Sequence, residues 1–203
     1  MAGATCCGQP AWNSGFVPEA RRVARRTLRA LEPYAAVVLP AGSCTAMIRL
    51  HWRHLFHGKP EQDLAGRVSE RVFELSQYLV DVLGVTELGP PRPLTACYHD
   101  SCHMLRELGV RDQPRRLLAA VAELVELPRA DRCCGFGGTF SIRYPDVSTA
   151  MVDDKLAAAA QSGAAVLVSA DPGCLMQIEG RAARVGNPLR VAHLATLLAE
   201  AGP

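Results

Sequence analysis

The stretch Ala164–Cys174 (AAVLVSADPGC) contains an apolar run, then a turn with Asp, Pro and Gly, and then a cysteine. Short apolar runs that are bounded by turn residues are typical of buried strands, and the segments around this one have a helical pattern. Strands that alternate with helices form parallel sheets, and ligands bind beyond the carboxyl ends of such strands. The stretch therefore predicts an α/β fold with Cys174 at its binding edge.

The same order of features occurs twice, which indicates an internal repeat. In each half a Cys-Cys-Gly motif precedes a helical segment, an apolar strand and a turn that ends in a cysteine. The first half has Cys6-Cys7-Gly8, the helix Val17–Leu31, the strand 35–39 and Cys44; the second has Cys133-Cys134-Gly135, the helix Val147–Ser162, the strand 164–168 and Cys174. We therefore predict two repeated Rossmann-like α/β units with parallel strands and flanking helices.

The stretch Gly89–Pro93 (GPPRP) is the predicted boundary between the repeats, because Gly and Pro interrupt regular structure. We place the first cysteine-rich repeat at residues 1–89 and the second at residues 90–203. Cys102 lies 31 positions before Cys133 and has no counterpart in the first half. By the spacing of the repeat, that counterpart would fall about 25 positions before Met1. We therefore expect the first unit to be truncated at its N-terminus and the second to be complete.

Composition and charge exclude several classes of protein. The chain has 203 residues, of which 49% are hydrophobic, enough to bury a sizeable core. A formal net charge of +2 is too small to indicate binding to nucleic acid or to an anionic membrane surface. The sequence has no apolar run of the length of a membrane span, and its first residues lack the pattern of a signal peptide. We therefore predict a cytoplasmic protein with no membrane span and no nucleic-acid partner.

The eight cysteines favour metal ligation over disulfides. Vicinal Cys-Cys pairs have poor geometry for ordinary bridges, and cytosolic thiols stay reduced. Cys44, Cys102 and Cys174 each follow a predicted strand by a short turn and begin a predicted helix. Because a helix N-terminus carries positive partial charge, it lowers the pKa of a thiol and prepares it for ligation.

Several thiolates that converge in a partly apolar site repel one another, so their convergence makes sense around a cation or a metal cluster. Two adjacent cysteines bind one small tetrahedral ion only in a strained ring, whereas they reach different irons of a larger cluster. We therefore favour an iron–sulfur cluster over zinc. Zinc stays open as the alternative cofactor.

The two Cys-Cys-Gly motifs, each with a later Gly-Ser-Cys or Pro-Gly-Cys, resemble the cysteine-rich (CCG) domain of heterodisulfide reductases and of glycolate oxidase iron–sulfur subunits. Within that family, the segments Thr5–Gly15, Tyr98–His103 and Cys133–Ser141 resemble the lactate-utilization protein A group. The resemblance covers essentially the whole chain. It implies a cytoplasmic iron–sulfur subunit of an L-lactate oxidation complex, which transfers electrons rather than catalyses and has other iron–sulfur proteins as partners.

The resemblance also implies which cysteines hold the cofactor. A four-cysteine set in the second unit comprises Cys102, Cys133, Cys134 and Cys174, and a three-cysteine set in the first comprises Cys6, Cys7 and Cys44. The fullest pattern of the family ends in Cys-x-x-Cys, whereas Met47 and Gln177 stand at those last positions here. The fifth ligand of a noncubane cluster is therefore missing, and we expect a cluster of the 4Fe–4S type.

Alternative functions stay open at this point. The chain is a zinc-stabilised cysteine-rich scaffold of an oxidoreductase complex if its histidines complete the ligand sets. It is an iron–sulfur subunit for glycolate or another 2-hydroxy acid if the substrate differs. A thiol redox role for Cys133 and Cys134 is less favoured, because such proteins usually have Cys-x-x-Cys. We interpret His99 and His103 as neighbours of the site, with structural roles or zinc ligation as alternatives, and Cys97 as a core residue.

Overall fold

The computed structural model describes residues 3–85 and 87–201. The chain divides into two compact units, Met1–Leu75 and Ser76–Pro203. This division lies before Gly89–Pro93, because Leu79 and Val80 belong to the core of the second unit. The assignment of the repeats to residues 1–89 and 90–203 stays a prediction. Within the described residues, no helix combines the length and the apolar character that crossing a bilayer requires.

The first unit contains two parallel strands and a set of helices. Its elements are α1 (Gln9–Asn13), α2 (Val17–Leu31), β1 (Val37–Leu39), α3 (Gly42–Ala46), the π-helical segment Met47–His51, α4 (Trp52–Leu55), α5 (Gln62–Glu70) and β2 (Val72–Glu74). Strands β1 and β2 pair in parallel, with Val37 opposite Val72. The predicted parallel α/β arrangement is therefore present, although β1 is shorter than the predicted strand 35–39.

Helix α2 forms because its apolar residues recur at helical spacing. Ala20, Ala24, Leu28 and Leu31 are all buried, each three or four positions from the next. Pro18 suits the first turn, where a backbone N–H has no partner within the helix. The helix packs these residues into the core of the first unit, and its observed bounds are the predicted ones.

The second unit contains a four-stranded parallel sheet. After α6 (Leu75–Gln77), which lies at the division, come the π-helical segment Tyr78–Val82, β3 (Thr95–Tyr98), the π-helical segment His103–Leu108, α7 (Asp112–Val121), β4 (Glu123–Leu124), α8 (Thr139–Arg143), α9 (Pro145–Ser162), β5 (Val166–Ser169), α10 (Pro172–Arg184), β6 (Arg190–His193) and α11 (Leu194–Ala201). The strand order is β4-β3-β5-β6. The predicted α/β class with parallel strands and flanking helices is confirmed.

Strands β3 and β5 contribute alternate side chains to two different cores. Tyr98 and Val168 belong to a cluster that includes residues of α7 and α11. Cys97 and Leu167 belong to a second cluster, which includes residues of α9 and α10. Because successive side chains of a strand point to opposite faces, the sheet is covered by helices on both faces. Cys97 is fully buried there, which confirms its interpretation as a core residue.

The strand order creates a crevice between β3 and β5. The chain leaves β3 toward β4 on one side, and later leaves β5 toward β6 on the other side. In parallel α/β sheets, such a change of direction opens a crevice at the carboxyl ends of the two strands, where ligands bind. The segments that follow β3 and β5 carry Cys102 and Cys174.

Candidate metal centre

The four-cysteine set comes together from three segments of the second unit. Cys102 follows β3 and precedes the helical segment His103–Leu108. Cys174 lies in the first turn of α10, after β5. Cys133 and Cys134 lie on the loop between β4 and α8. Three separate parts of the sequence therefore meet at the crevice.

The four thiols interact in series, Cys102 with Cys133, Cys133 with Cys134, and Cys134 with Cys174. Hydrogen bonds from the thiols of Cys102 and Cys134 lower the pKa of Cys133. The same contacts, together with burial, raise the pKa of Cys102 and of Cys134. These hydrogen bonds therefore favour ionisation of Cys133 over ionisation of Cys102 or Cys134. A bound cation favours the loss of the remaining protons, because it stabilises thiolates.

A glycine shapes the Cys-Cys-Gly loop of the second unit. Gly135 has a φ of 84°, and a Cβ at this position would lie 2.6 Å from the carbonyl oxygen of Ser148. The Gly135 N–H donates to Cys133 Sγ at 3.4 Å, and the Ser148 hydroxyl donates to the Gly135 carbonyl at 2.7 Å. The loop is thus held against α9 at a distance that only glycine permits.

The segments after β3 and β5 are also bonded to each other. Ser169 Oγ donates to the His99 carbonyl at 3.0 Å, and Ser101 Oγ donates to Asp171 Oδ2 at 3.5 Å. Asp171 also caps α10, because its Oδ1 accepts from the Gly173 N–H at 3.2 Å. These bonds hold Cys102 and Cys174 in position before any metal binds.

A buried ion pair fixes the segment that carries Cys102. Asp100 is almost fully buried, and both of its carboxylate oxygens accept from the guanidinium of Arg115 on α7. Arg115 also pairs with Glu126, with Nε 3.1 Å from Oε1. Burial alone would lower the pKa of Arg115, but the hydrogen bonds that its guanidinium donates to these two carboxylates together raise the pKa. Breaking a pair of this kind leaves a buried charge without a partner, so the pair holds the segment firmly.

His99 lies buried beside the thiols. Its ring nitrogen lies within 4.8 Å of the sulfur atoms of Cys134 and Cys174. Burial, with a smaller contribution from Lys155, lowers the pKa of His99 to about 3, so the ring is neutral at pH 7. The Ala130 carbonyl opposes this shift, yet neither ring nitrogen makes a hydrogen bond of regular geometry to the described residues. The ring can therefore serve as a metal ligand or as a hydrogen-bond donor to a bound cofactor.

Lys155 places a buried cation at the site, which sequence reasoning missed. The side chain projects from α9, and its Nζ donates to the carbonyls of Arg129 at 2.9 Å and Ala130 at 3.4 Å. Burial lowers the pKa of Lys155, while the electrostatic interaction with the side chain of Cys134 opposes the shift. A sequence signal existed, because Lys155 lies in the buried stripe of α9, beside Leu156. A cation at this place stabilises thiolates and an anionic cluster.

In the first unit the structure brings Cys7 and Cys44 together, with their sulfur atoms 3.4 Å apart. The hydrogen bond to Cys44, and then burial, raise the pKa of Cys7. Cys6 is exposed beside this pair, and its sulfur accepts from the Gly8 N–H at 3.4 Å. The three-cysteine set therefore has two close thiols and a third at the surface.

The donors of the second unit fit an iron–sulfur cluster. Cys102, Cys133, Cys134 and Cys174 offer four thiols, the number that bind a 4Fe–4S cluster. The buried nitrogens of His99 lack partners among the described residues, which is the condition expected where a bound group supplies them. Thiolates with a histidine also fit zinc, so the donor set alone is compatible with both metals.

Comparisons with known proteins identify the sequence relatives of this chain. The signature of the cysteine-rich (CCG) domain matches residues 1–49 and 96–179. The chain is 49% identical to lactate utilization protein A of Geobacillus kaustophilus over 197 residues, which cover 96% of this chain and 82% of that protein. It is 44% identical to lactate utilization protein A of Bacillus subtilis over 199 residues, which cover 97% of this chain and 83% of that protein.

Proposed function

We propose a function for this chain on the basis of its family. The chain belongs to the lactate utilization protein A group of the cysteine-rich (CCG) domain proteins. Its relatives are named for lactate utilization, and we infer the same role here. Within that role the chain is an iron–sulfur electron-transfer subunit of an L-lactate oxidation complex. The observation that best supports this proposal is the convergence of the four-cysteine set at the crevice between β3 and β5.

The four-cysteine set holds the cluster, and the surrounding residues prepare the set. A bound 4Fe–4S cluster supplies the chemistry, because it accepts and releases electrons one at a time. Ser148 and Asp171 fix the loops that carry the thiols, and Lys155 balances their negative charge. The three-cysteine set is proposed as a second, weaker ligand set.

The electron-transfer role implies partners and a compartment. An electron carrier needs one protein that reduces it and another that oxidises it, so the partners are other subunits of a lactate-oxidising complex, including other iron–sulfur proteins. Thiol ligands must stay reduced to bind metal, so we propose a cytoplasmic location for the protein.

The decisive experiment is metal analysis of protein that is purified without air. We expect brown protein that contains iron and acid-labile sulfide, with a large loss of both in Cys134→Ser. Cys97→Ser is the matched control, because Cys97 is equally buried but contacts Ser162 rather than the four-cysteine set. Colourless protein with neither iron nor sulfide, even after reconstitution, rejects the proposal.

Zinc is the second candidate, and the position of His99 favours it. One imidazole and two thiols whose ligand atoms lie within 4.8 Å of one another form a mixed set of the kind that binds zinc. In that case the chain is a zinc-stabilised scaffold of the complex. Stoichiometric zinc, the absence of redox-active absorption and loss of zinc in His99→Ala would establish this alternative.

A further inference from the structure

A cavity of about 310 Å³ lies beside Cys133 in the second unit. Four of its lining residues are cationic, namely Arg106, Arg129, Arg132 and Lys155. A lining carboxylate, Asp154, lies 3.8 Å from Arg132 Nη1 and offsets one of these charges. The walls therefore carry an excess of positive charge in a concave space of the size that small-molecule sites have.

The cavity is separate from the place where the thiols converge. Of the four-cysteine set, only Cys133 lines it. Cys134 and Cys174 lie instead with His99, on the buried side. Cys133 therefore stands between the cavity and the proposed cluster, and the positive walls are not explained by cluster binding alone.

The backbone of Arg129 indicates that this wall has a specific shape. Arg129 has a φ of 54°, a left-handed conformation that residues other than glycine rarely adopt and that recurs at ligand sites. The buried ammonium of Lys155 donates to the Arg129 carbonyl at 2.9 Å and holds this conformation. Among the described residues, the Arg129 guanidinium has no ion-pair partner, so it is available to an anion.

We propose that this cavity binds a small organic carboxylate. Guanidinium groups bind carboxylates through paired N–H donors, and three arginines line one concave space here. Met151 lines the same cavity and gives an apolar contact for the carbon part of such a ligand. The site goes beyond the proposed electron-transfer role, because it places an anionic small molecule next to a cluster ligand.

The test is calorimetric titration of the full chain, purified without air, with L-lactate, pyruvate and malonate. Lactamide is the matched probe, because it replaces the carboxylate of lactate with a neutral amide. We expect at least one acid to bind, and lactamide to bind at least about tenfold more weakly than lactate. Failure of all three acids to bind at millimolar concentration, equal binding of lactamide, or tighter binding of inorganic phosphate than of any acid overturns the proposal.

Charge-neutralising variants test whether the carboxylate binds in this cavity. Arg129→Gln and Arg132→Gln are each expected to weaken carboxylate binding by about tenfold. Arg116→Gln is the matched control, because Arg116 is exposed on α7 outside the cavity and its loss changes the net charge equally. Arg132 is also exposed, so its variant gives a result even if Arg129→Gln does not fold. Equal weakening by Arg116→Gln overturns the proposal.

Iron content, measured on the same samples, separates the two proposals. Protein that contains iron but binds no carboxylate overturns the cavity proposal and leaves the electron-transfer function standing. Protein that binds carboxylate with the expected variant effects, but contains neither iron nor sulfide even after reconstitution, supports the cavity proposal and rejects the proposed function.

Discussion

The two Cys-Cys-Gly loops have the same backbone design. Gly8 and Gly135 have φ values of 90° and 84°, and an added Cβ would lie less than 3 Å from a carbonyl oxygen of α2 at Gly8 and of α9 at Gly135. In each loop the glycine N–H also donates to the sulfur of the first cysteine at 3.4 Å. The repeat that the sequence indicates therefore extends to individual hydrogen bonds.

Helices α2 and α9, which these two loops approach, differ in charge at one buried position. When Ala20 of α2 is aligned with Ser148 of α9, Thr27 aligns with Lys155, and both are buried. The Thr27 hydroxyl donates to the Cys6 carbonyl at 2.8 Å, whereas the Lys155 ammonium donates to the Arg129 carbonyl at 2.9 Å. The same fold thus carries a neutral group beside three cysteines and a cation beside four. Positive charge accompanies the set with more thiols.

Ligand substitutions should separate the two sets most strongly. Cys174→Ser removes a member of the four-cysteine set, and Cys44→Ser removes the corresponding member of the three-cysteine set. We expect Cys174→Ser to lose most of the bound iron and sulfide, and Cys44→Ser to lose a smaller part, because three thiols hold a cluster less well than four. Iron and sulfide per chain, with electron paramagnetic resonance of the reduced protein, measure this. Equal losses would show that the two sets are equivalent.

Adding a methyl group at either loop glycine tests the shared backbone design. We expect Gly135→Ala and Gly8→Ala each to destabilise their own unit by about 2–4 kcal/mol, through left-handed strain and a clash with a carbonyl. Gly163→Ala is the control, because Gly163 has a φ of 69° but no atom within 4 Å of an added Cβ. Strain alone should cost about 1 kcal/mol there.

The two units can be followed separately in this experiment. The two tryptophans of the chain, Trp12 and Trp52, both belong to the first unit. Tryptophan fluorescence in urea therefore reports Gly8→Ala, and hydrogen exchange of α9 in metal-free protein reports Gly135→Ala. If Gly135→Ala costs no more than Gly163→Ala, the close approach to Ser148 is not a constraint in solution.

Removing the buried cation Lys155 tests the electrostatic difference between the four-cysteine set and the three-cysteine set. Lys155→Met should lower the reduction potential of the cluster by roughly tens of millivolts, because a nearby positive charge favours the more negative reduced state. Thr27→Val is the matched change at the aligned position, and it should leave that potential unchanged. A redox titration followed by electron paramagnetic resonance measures both. The same potential in wild type and Lys155→Met would mean that Lys155 serves only to bond the backbone.

Much of the fold could be predicted because its signals are local. The strand–turn–cysteine order around Cys44 and Cys174 identified the parallel strands, and the helical period of α2 gave its bounds. The strand ends were less accurate, since β5 runs over Val166–Ser169 rather than 164–168. Where a strand ends depends on its pairing with neighbours, and a single stretch of sequence does not contain that information.

The surroundings of the cysteines were harder to predict, because they depend on contacts between distant segments. His99 was recognised only as a neighbour of Cys102, although its ring lies with Cys134 and Cys174. The bond from Lys155 to the carbonyl of Arg129 joins α9 to a loop 26 positions earlier. Aligning α2 with α9 would have identified Lys155, because a charged residue in a buried helical stripe needs a partner.

The smallest expected effect concerns ion pairs near the surface, of which each unit contains a similar example. Arg25 Nε lies 2.6 Å from Glu61 Oε1 in the first unit, and Arg181 Nε lies 2.7 Å from Asp153 Oδ1 in the second. In each pair the hydrogen bond from arginine lowers the pKa of the acid, from usual values of 4.5 for Glu61 and 3.8 for Asp153. The stabilisation is therefore present above the pKa of the unfolded chain and is lost as the pH falls through the lower, folded-state pKa.

Because the Arg25–Glu61 pair lies near solvent, Glu61→Gln should cost at most about 1 kcal/mol at pH 6. The cost should shrink once the pH falls below 4.5, as wild-type Glu61 also becomes protonated. Urea unfolding followed by tryptophan fluorescence measures this, since both tryptophans lie in the first unit. Asp153→Asn should leave that fluorescence transition unchanged, because its pair belongs to the second unit. A cost of Glu61→Gln that stays constant on acidification would show that the glutamate acts through packing rather than charge.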